Sequence, residues 1–248
     1  MSTDTGACVL STQGLRKDYG RGESLVHAVD EVDLTVAPGE TVAIMGPSGC
    51  GKSTLLYLLG GLDRPTAGEI WLNGQDITRM SERALARLRR EAVGFVFQAF
   101  HLMDELTAVE NVELSALLAG RSPRTARKRA EELLERVGLA NRARFLPAAL
   151  SGGQRQRVAV ARALVADPLV VLADEPTGNL DSASTRDVLQ LFDQLHRAGQ
   201  TLVIVTHDVQ VAATADRMIS MSDGAFIKQT MPQDGIGGHV GALAGMEG

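Results

Sequence analysis

The sequence predicts an α/β fold: a mostly parallel sheet covered by helices, with a helical lobe set into it. Three observations predict it. Short apolar runs at 41–45 (TVAIM), 169–173 (LVVLA) and 201–205 (TLVIV) read as buried strands. A helical segment at about 184–197 separates the last two, and such alternation marks a parallel sheet with helices on its faces. Residues 99–150 differ in texture and follow helical spacing instead.

In chain order, residues 1–8 read as a flexible lead. From Val9 to about Val36 short alternating runs, broken by Gly20 and Gly22, predict strands joined by a hairpin-like loop. Pro38-Gly39 marks a turn before the first buried strand. A glycine-rich loop follows, then a helix over 53–59. Residues 69–72 (EIWL) read as a strand with Trp71 as a packing residue, 82–90 as an arginine-rich helix, and 93–97 as a strand that ends at Gln98. Helices are expected at 107–118 and, behind the Ser122-Pro123 cap, through Ala126, Ala130, Leu133, Leu134 and Val137 until Gly138 stops it. A long helix is expected at 158–165. The tail from Pro232 has no periodicity and reads as loose.

Composition narrows the function classes. A chain of 248 residues fits one large domain or one domain with an inserted lobe. The net charge of −5 weighs against a nucleic-acid binder, which usually shows a basic face. No basic segment followed by an apolar run opens the chain, and no stretch reaches the ~18 apolar residues of a spanning helix, so membrane association is expected through a partner or a surface. Two isolated cysteines, Cys8 and Cys50, read as a reduced, cytosolic chain without a metal cluster.

The chemistry concentrates in a few segments. Gly46, Pro47, Ser48, Gly49, Cys50, Gly51, Lys52, Ser53 and Thr54 match G-x-x-x-x-G-K-[ST] between a strand and a helix, the context that this phosphate loop requires. Glycines bring backbone N–H groups onto phosphates, and the helix N-terminus adds positive potential. Lys52 is placed to reach the β- and γ-phosphates and Ser53 to present its hydroxyl to Mg²⁺. Cys50 reads as a small filler. The run 170–173 leads into Asp174, a strand-end carboxylate suited to Mg²⁺, and Glu175, suited to polarise water. His207 ends the strand at 201–205 and can donate a hydrogen bond to the γ-phosphate. Gln98 can contact Mg²⁺ or the water, and Tyr19 can cover an adenine. Ser151, Gly152, Gly153 and Gln154 form a second anion-binding nest at a helix start. Two nests with one lysine loop suggest a site shared between two subunits.

These residues resemble the nucleotide-binding subunits of ABC transporters over roughly 9–230. The order matches throughout: aromatic loop at Tyr19, Walker A at Gly46 to Ser53, Q-loop at Gln98, signature at Leu150 to Gln154, Walker B ending at Asp174, catalytic Glu175, D-loop with Asp181 and switch His207. The segments GFVFQ (94–98), LTAVENV (106–112), ADEPTGNLD (173–181) and THD (206–208) resemble the MacB, LolD and FtsE branch. Ser115, where that branch commonly has proline, departs from the pattern.

The resemblance implies a RecA-like P-loop NTPase core with an N-terminal antiparallel β-region and a helical lobe at about 99–157, all within an ATPase domain of 1–230, followed by a flexible tail at 231–248. It implies ATP and Mg²⁺ as ligands, and two copies packed head to tail so that Ser151 and Gly153 of one meet the γ-phosphate held by Lys52 of the other. It implies a four-helix inner-membrane permease, usually with a large extracytoplasmic domain, that docks near Gln98 and 99–110 and keeps the ATPase peripheral on the cytoplasmic face. The work driven is export or extraction of a substrate, or FtsE-like signalling to a periplasmic partner without transport. A nucleic-acid role is not expected, because the chain has one compact lobe and no coiled-coil or zinc insertion.

Overall fold

A computed structural model describes residues 8–231, so the expected lead (except Cys8) and the tail from 232 lie outside the described residues. The chain runs through β1 (Leu10–Tyr19), β2 (Val26–Val36), β3 (Thr41–Met45), α1 (Lys52–Leu59), β4 (Ala67–Leu72), β5 (Gln75–Asp76), α2 (Glu82–Ala92) and β6 (Val93–Val96). It continues through α3 (Ala108–Leu118), α4 (Pro123–Arg136), α5 (Gly152–Leu164), β7 (Val170–Asp174), α6 (Ser182–Arg197), β8 (Thr201–Thr206), α7 (Val209–Ala212), β9 (Arg217–Ser222) and β10 (Ala225–Thr230).

Two sheets form. One has the order β2-β1-β4-β5 and is antiparallel throughout. The other has the order β10-β9-β3-β8-β7-β6, parallel except for the β9–β10 pair. The apolar runs explain the second sheet. Every residue of β7 and of β8 is buried, as a strand covered on both faces requires. Alternate side chains then enter different cores. Val171, Ala173, Leu202 and Ile204 join the core that holds α3, α4, α5 and α6. Val170, Leu172, Val203 and Val205 join the core under α1 and the antiparallel sheet. Truncating Leu172, Leu202 or Ile204 to alanine costs about 2–5 kcal/mol.

The helical segments carry their own start signals. Thr107 caps α3 in a capping box with Glu110, and Ser122 caps α4 with Pro123 in its first turn. The α5 helix begins at Gly152, where the Ser151-capped glycine pair was expected to start it, ahead of the apolar run at 158–165. It crosses the expected lobe boundary at 157, so one helix serves lobe and core together. The α7, β9 and β10 elements lie in a stretch, 209–231, to which the sequence pattern assigned nothing. Among the described residues no helix is long and apolar enough to cross a membrane.

Candidate active site

The strand order places the motifs. In a parallel sheet all C-terminal ends lie at one edge, where ligands bind. Adjacent strands β3, β8, β7 and β6 there lead into the Gly46–Thr54 loop, His207, Asp174-Glu175 and Gln98, in that spatial order.

The loop after β3 surrounds the N-terminus of α1. Its N-cap, Gly51, has φ +103° and no side-chain cap. A Cβ there would lie 1.9 Å from the Ala28 carbonyl oxygen, so only glycine fits. The loop is braced from outside, because Gly224 N–H donates to the Cys50 carbonyl at 3.0 Å and Asp30 N–H to the Gly224 carbonyl at 2.9 Å. Cys50 is buried, with Sγ 2.6 Å from where a Cβ on Gly46 would sit, which is the filler role expected of it. A cavity of about 480 Å³ opens over the loop, lined by residues 49–54 with His27, Ala28, Asp223 and Gly224. Lys52 is buried, and its Nζ donates to the carbonyls of Gly46 (2.8 Å) and Pro47 (2.9 Å). The amides of 52–54 precede the first helical acceptor bond, that of Leu55 to Gly51, and remain free for an anion.

Asp174 accepts from Ser53 Oγ at 2.9 Å and from Tyr57 Oη at 3.3 Å. Burial pushes its carboxyl above the usual range and Glu175 adds to the rise; the two hydroxyls and Lys52 offset part of it. A hydroxyl beside a carboxylate is a hard oxygen pair that suits Mg²⁺, and the free amides with Lys52 suit polyphosphate, so the residues fit both groups.

Glu175 has φ +43°, a left-handed conformation that a side chain rarely adopts. This aims its carboxylate across to the end of β8. Oε2 accepts from Thr206 Oγ1 at 3.2 Å and from His207 N–H at 3.3 Å, while Oε1 meets His207 Nδ1 at 2.8 Å. Gln98 exchanges hydrogen bonds with Asn179: its Nε2 donates to Asn179 Oδ1 at 3.3 Å, and Asn179 Nδ2 returns one to its carbonyl at 3.1 Å. Tyr19 is 46% exposed; its hydroxyl donates to Asp63 at 2.8 Å, and burial followed by Asp63 raises its phenol pKa. It stands outside the cavity lining.

The second nest forms a separate cluster. Ser151 accepts from Gln154 N–H, and Gln154 returns a bond to Ser151 N–H at 3.0 Å. A Cβ on Gly153 would lie 2.6 Å from Ser184 Cβ. Asp181 caps α6, accepting from Ala183 N–H at 3.0 Å and Ser184 N–H at 2.9 Å. Among the described residues, no hydrogen bond joins Ser151–Gln154 to the Gly46–Thr54 loop.

Four contributors escaped the sequence reading: Tyr57 on Asp174, Thr206 on Glu175, Asn179 on Gln98, and Gln156, whose Nε2 donates to the Pro176 carbonyl at 2.6 Å. Only Gln156 left a signal, a polar residue next to the apolar run of a buried helix.

Comparisons place this geometry. The ABC transporter family model matches residues 29–178. The macrolide export ATP-binding/permease protein MacB of Bartonella henselae is 48% identical over 227 residues, covering 92% of this chain and 34% of that protein. MacB of Sodalis glossinidius is 50% identical over 222 residues, with 90% and 34% covered. The chain thus spans about a third of these relatives. The ABC transporter ATP-binding protein YvrO of Bacillus subtilis is 48% identical over 219 residues, 88% of this chain and 96% of that one. A solved dimeric bacterial ABC transporter cassette superposes with a TM-score of 0.84 at 42% identity, covering 91% of this chain and 99% of that chain. A dimeric ATP-binding cassette in a post-hydrolysis state, bound to ADP and Pi, gives 0.83 at 41% identity over the same shares. These sequence motifs and the RecA-like core therefore occur together in a chain that belongs to the ABC transporter family, as an ATP-binding, ATP-hydrolysing cassette homologous to that of MacB.

Proposed function

We propose that the chain binds MgATP over the Gly46–Thr54 loop, closes head to tail on a second copy, and drives a four-helix permease from the cytoplasmic face of the membrane. The observation that carries this reading is the convergence of Lys52, Asp174, Glu175 and His207 on one sheet edge.

Lys52 leaves its two loop carbonyls for the β- and γ-phosphates, while the free amides of α1 hold the remaining oxygens. Ser53, Asp174 and Gln98 hold Mg²⁺. Magnesium, when bound, offsets negative charge on the phosphate oxygens. Glu175 takes the proton of the attacking water. Thr206 and the His207 amide fix Oε2, so Oε1 is the oxygen that receives it. His207 exchanges its contact with Oε1 for the γ-phosphate. Tyr19 turns from Asp63 to the adenine. Ser151, Gly152, Gly153 and Gln154 of one copy, beside Asp181, complete the γ-phosphate site of the other.

The permease docks in the groove of about 480 Å³ between α2, β6, α3 and α5, which Arg89, Phe95, Phe97, His101 and Arg162 line. It adjoins the segment after Gln98, so movement of Gln98 reaches the docked helix.

Sedimentation of Glu175→Gln with and without MgATP tests the shared site. An ATP-dependent dimer is expected; a monomer in both conditions, with nucleotide binding confirmed, overturns it. Co-purification from native membranes tests the permease. A four-helix membrane protein is expected, and ribosomal or DNA-repair proteins without one would refute the partner.

A further inference from the structure

Gln156 lies on α5, two residues past the nest, and is fully buried. Its Nε2 donates to the Pro176 carbonyl at 2.6 Å and to the Phe97 carbonyl at 3.4 Å. These two carbonyls have a common origin. The paired strands β6 and β7 end in register at Val96 and Ala173, and the chains then diverge into the Gln98 and Glu175 segments. Beyond that point the ladder supplies no donors, and buried carbonyls need them. One amide group supplies both.

The oxygen of the same amide, Oε1, is buried with no partner among the described residues. A flipped amide would set that oxygen against two carbonyls, so the acceptors fix its orientation. A buried, unpaired carbonyl costs about 1–3 kcal/mol, so an apolar side chain of this size would avoid one cost and lose both donors. The donors are the reason for an amide here. The neighbouring peptide is the one that needs holding, because Glu175 directly precedes Pro176 and sits at φ +43°. Strained backbone of this kind persists only where its surroundings over-determine it.

We propose that Gln156 is a positioning residue for ATP hydrolysis, an amide strut that ties the start of α5 to the Glu175-Pro176 peptide and the Phe97-Gln98 peptide. Through it, the helix carrying the second nest sets where the general base and the Gln98 loop stand. This rests on the reading of Glu175 as general base.

The test compares Gln156→Met, close in volume but without donors, with wild type and Glu175→Gln, each the full chain purified with any membrane partner it carries. Expected for Gln156→Met is a kcat lower by about tenfold or more, the scale at which a misplaced catalytic group acts, with KM and ATP Kd within about twofold. Amide exchange should speed up at 175–179 and stay unchanged at 158–165. Gln156→Asn, which keeps the amide but withdraws it by one methylene, should lose kcat to a smaller degree with Kd unchanged, and it decides the matter if the Met variant does not fold. A kcat within twofold of wild type in the deciding variant overturns the proposal. So does a kcat loss matched by loss of ATP affinity and faster exchange along all of α5, which would make Gln156 a packing residue. If Glu175→Gln hydrolyses at the wild-type rate, the general-base reading fails instead, whatever Gln156 does.

Discussion

The N-termini of α1 and α5, the two proposed anion nests, are held in opposite ways. The α1 start has glycine as its N-cap, no side-chain cap, three free amides and a buried lysine folded onto its own loop. The α5 start is self-capped: Ser151 and Gln154 satisfy each other's backbone N–H groups and leave the Gly152 and Gly153 amides free. An uncapped start is a poor helix terminus and a strong anion site. Here the left-handed turn at Gly51, open to glycine without steric cost, is held by the bond from Gly224 N–H to the Cys50 carbonyl, far away in sequence. A capped start is stable by itself and binds weakly. On the proposed reading, such a start suits a nest that acts only when a second copy brings a phosphate to it.

Mutations can break this comparison. The largest effect is expected from Lys52→Ala, which removes the one cation of the uncapped nest. ATP affinity of the single chain should fall by about 10- to 100-fold, as for loss of one charge-assisted bond, in a fluorescent-nucleotide titration. Retained affinity would show that the free amides suffice.

Gly153→Ala comes next. Its Cβ would fall 2.6 Å from Ser184, so the nest must shift off α6. ATP-dependent dimerisation of the Glu175→Gln chain should weaken about tenfold or more, the scale of an overpacked contact, while single-chain ATP affinity stays unchanged. Analytical ultracentrifugation reads the first and the titration reads the second.

Ser151→Ala separates stability from binding. Losing the cap costs about 1 kcal/mol, or roughly 2–4 °C in Tm for a chain of this size. Ser122→Ala removes the corresponding cap of α4, away from both nests. Equal Tm losses are expected from the two, with weaker dimerisation only in the first.

The smallest effect is at Asp181. Hydrogen bonds from Ser184 N–H and the Ser184 hydroxyl hold its carboxyl below the usual range. A depressed folded-state value means the carboxylate stabilises the fold above its unfolded pKa, and that this is lost as pH falls through the folded value. Asp181→Asn keeps a capping oxygen and does not titrate. Its Tm should nearly equal wild type at pH 7, and wild type should lose more Tm than the variant on acidification. Parallel acid profiles would remove Asp181 from the account.

The Lys52 loop and the Asp174-Glu175 pair were legible because each is contiguous and each bounds an apolar run. Their chemistry needs neighbours only a few residues apart. Tyr57, Thr206, Asn179 and Gln156 were not legible, because each acts on a group brought to it by another element. The start of α5, by contrast, was legible: the Ser151 cap and the two glycines after it mark a helix start beside the apolar run.

By itself the sequence determined most strands up to β8, most helices and the pattern of the phosphate loop. These follow from local periodicity, cap chemistry and the glycine requirement of tight turns. Tertiary structure alone decided that β3, β8, β7 and β6 are neighbours in that order, that Gln98 faces Asn179, and that one buried amide joins α5 to the Glu175 peptide. Strand order and buried polar pairing depend on which surfaces meet across long sequence separations. Such meetings are settled by the packing of the whole sheet and its two cores, not by the residues next to each motif.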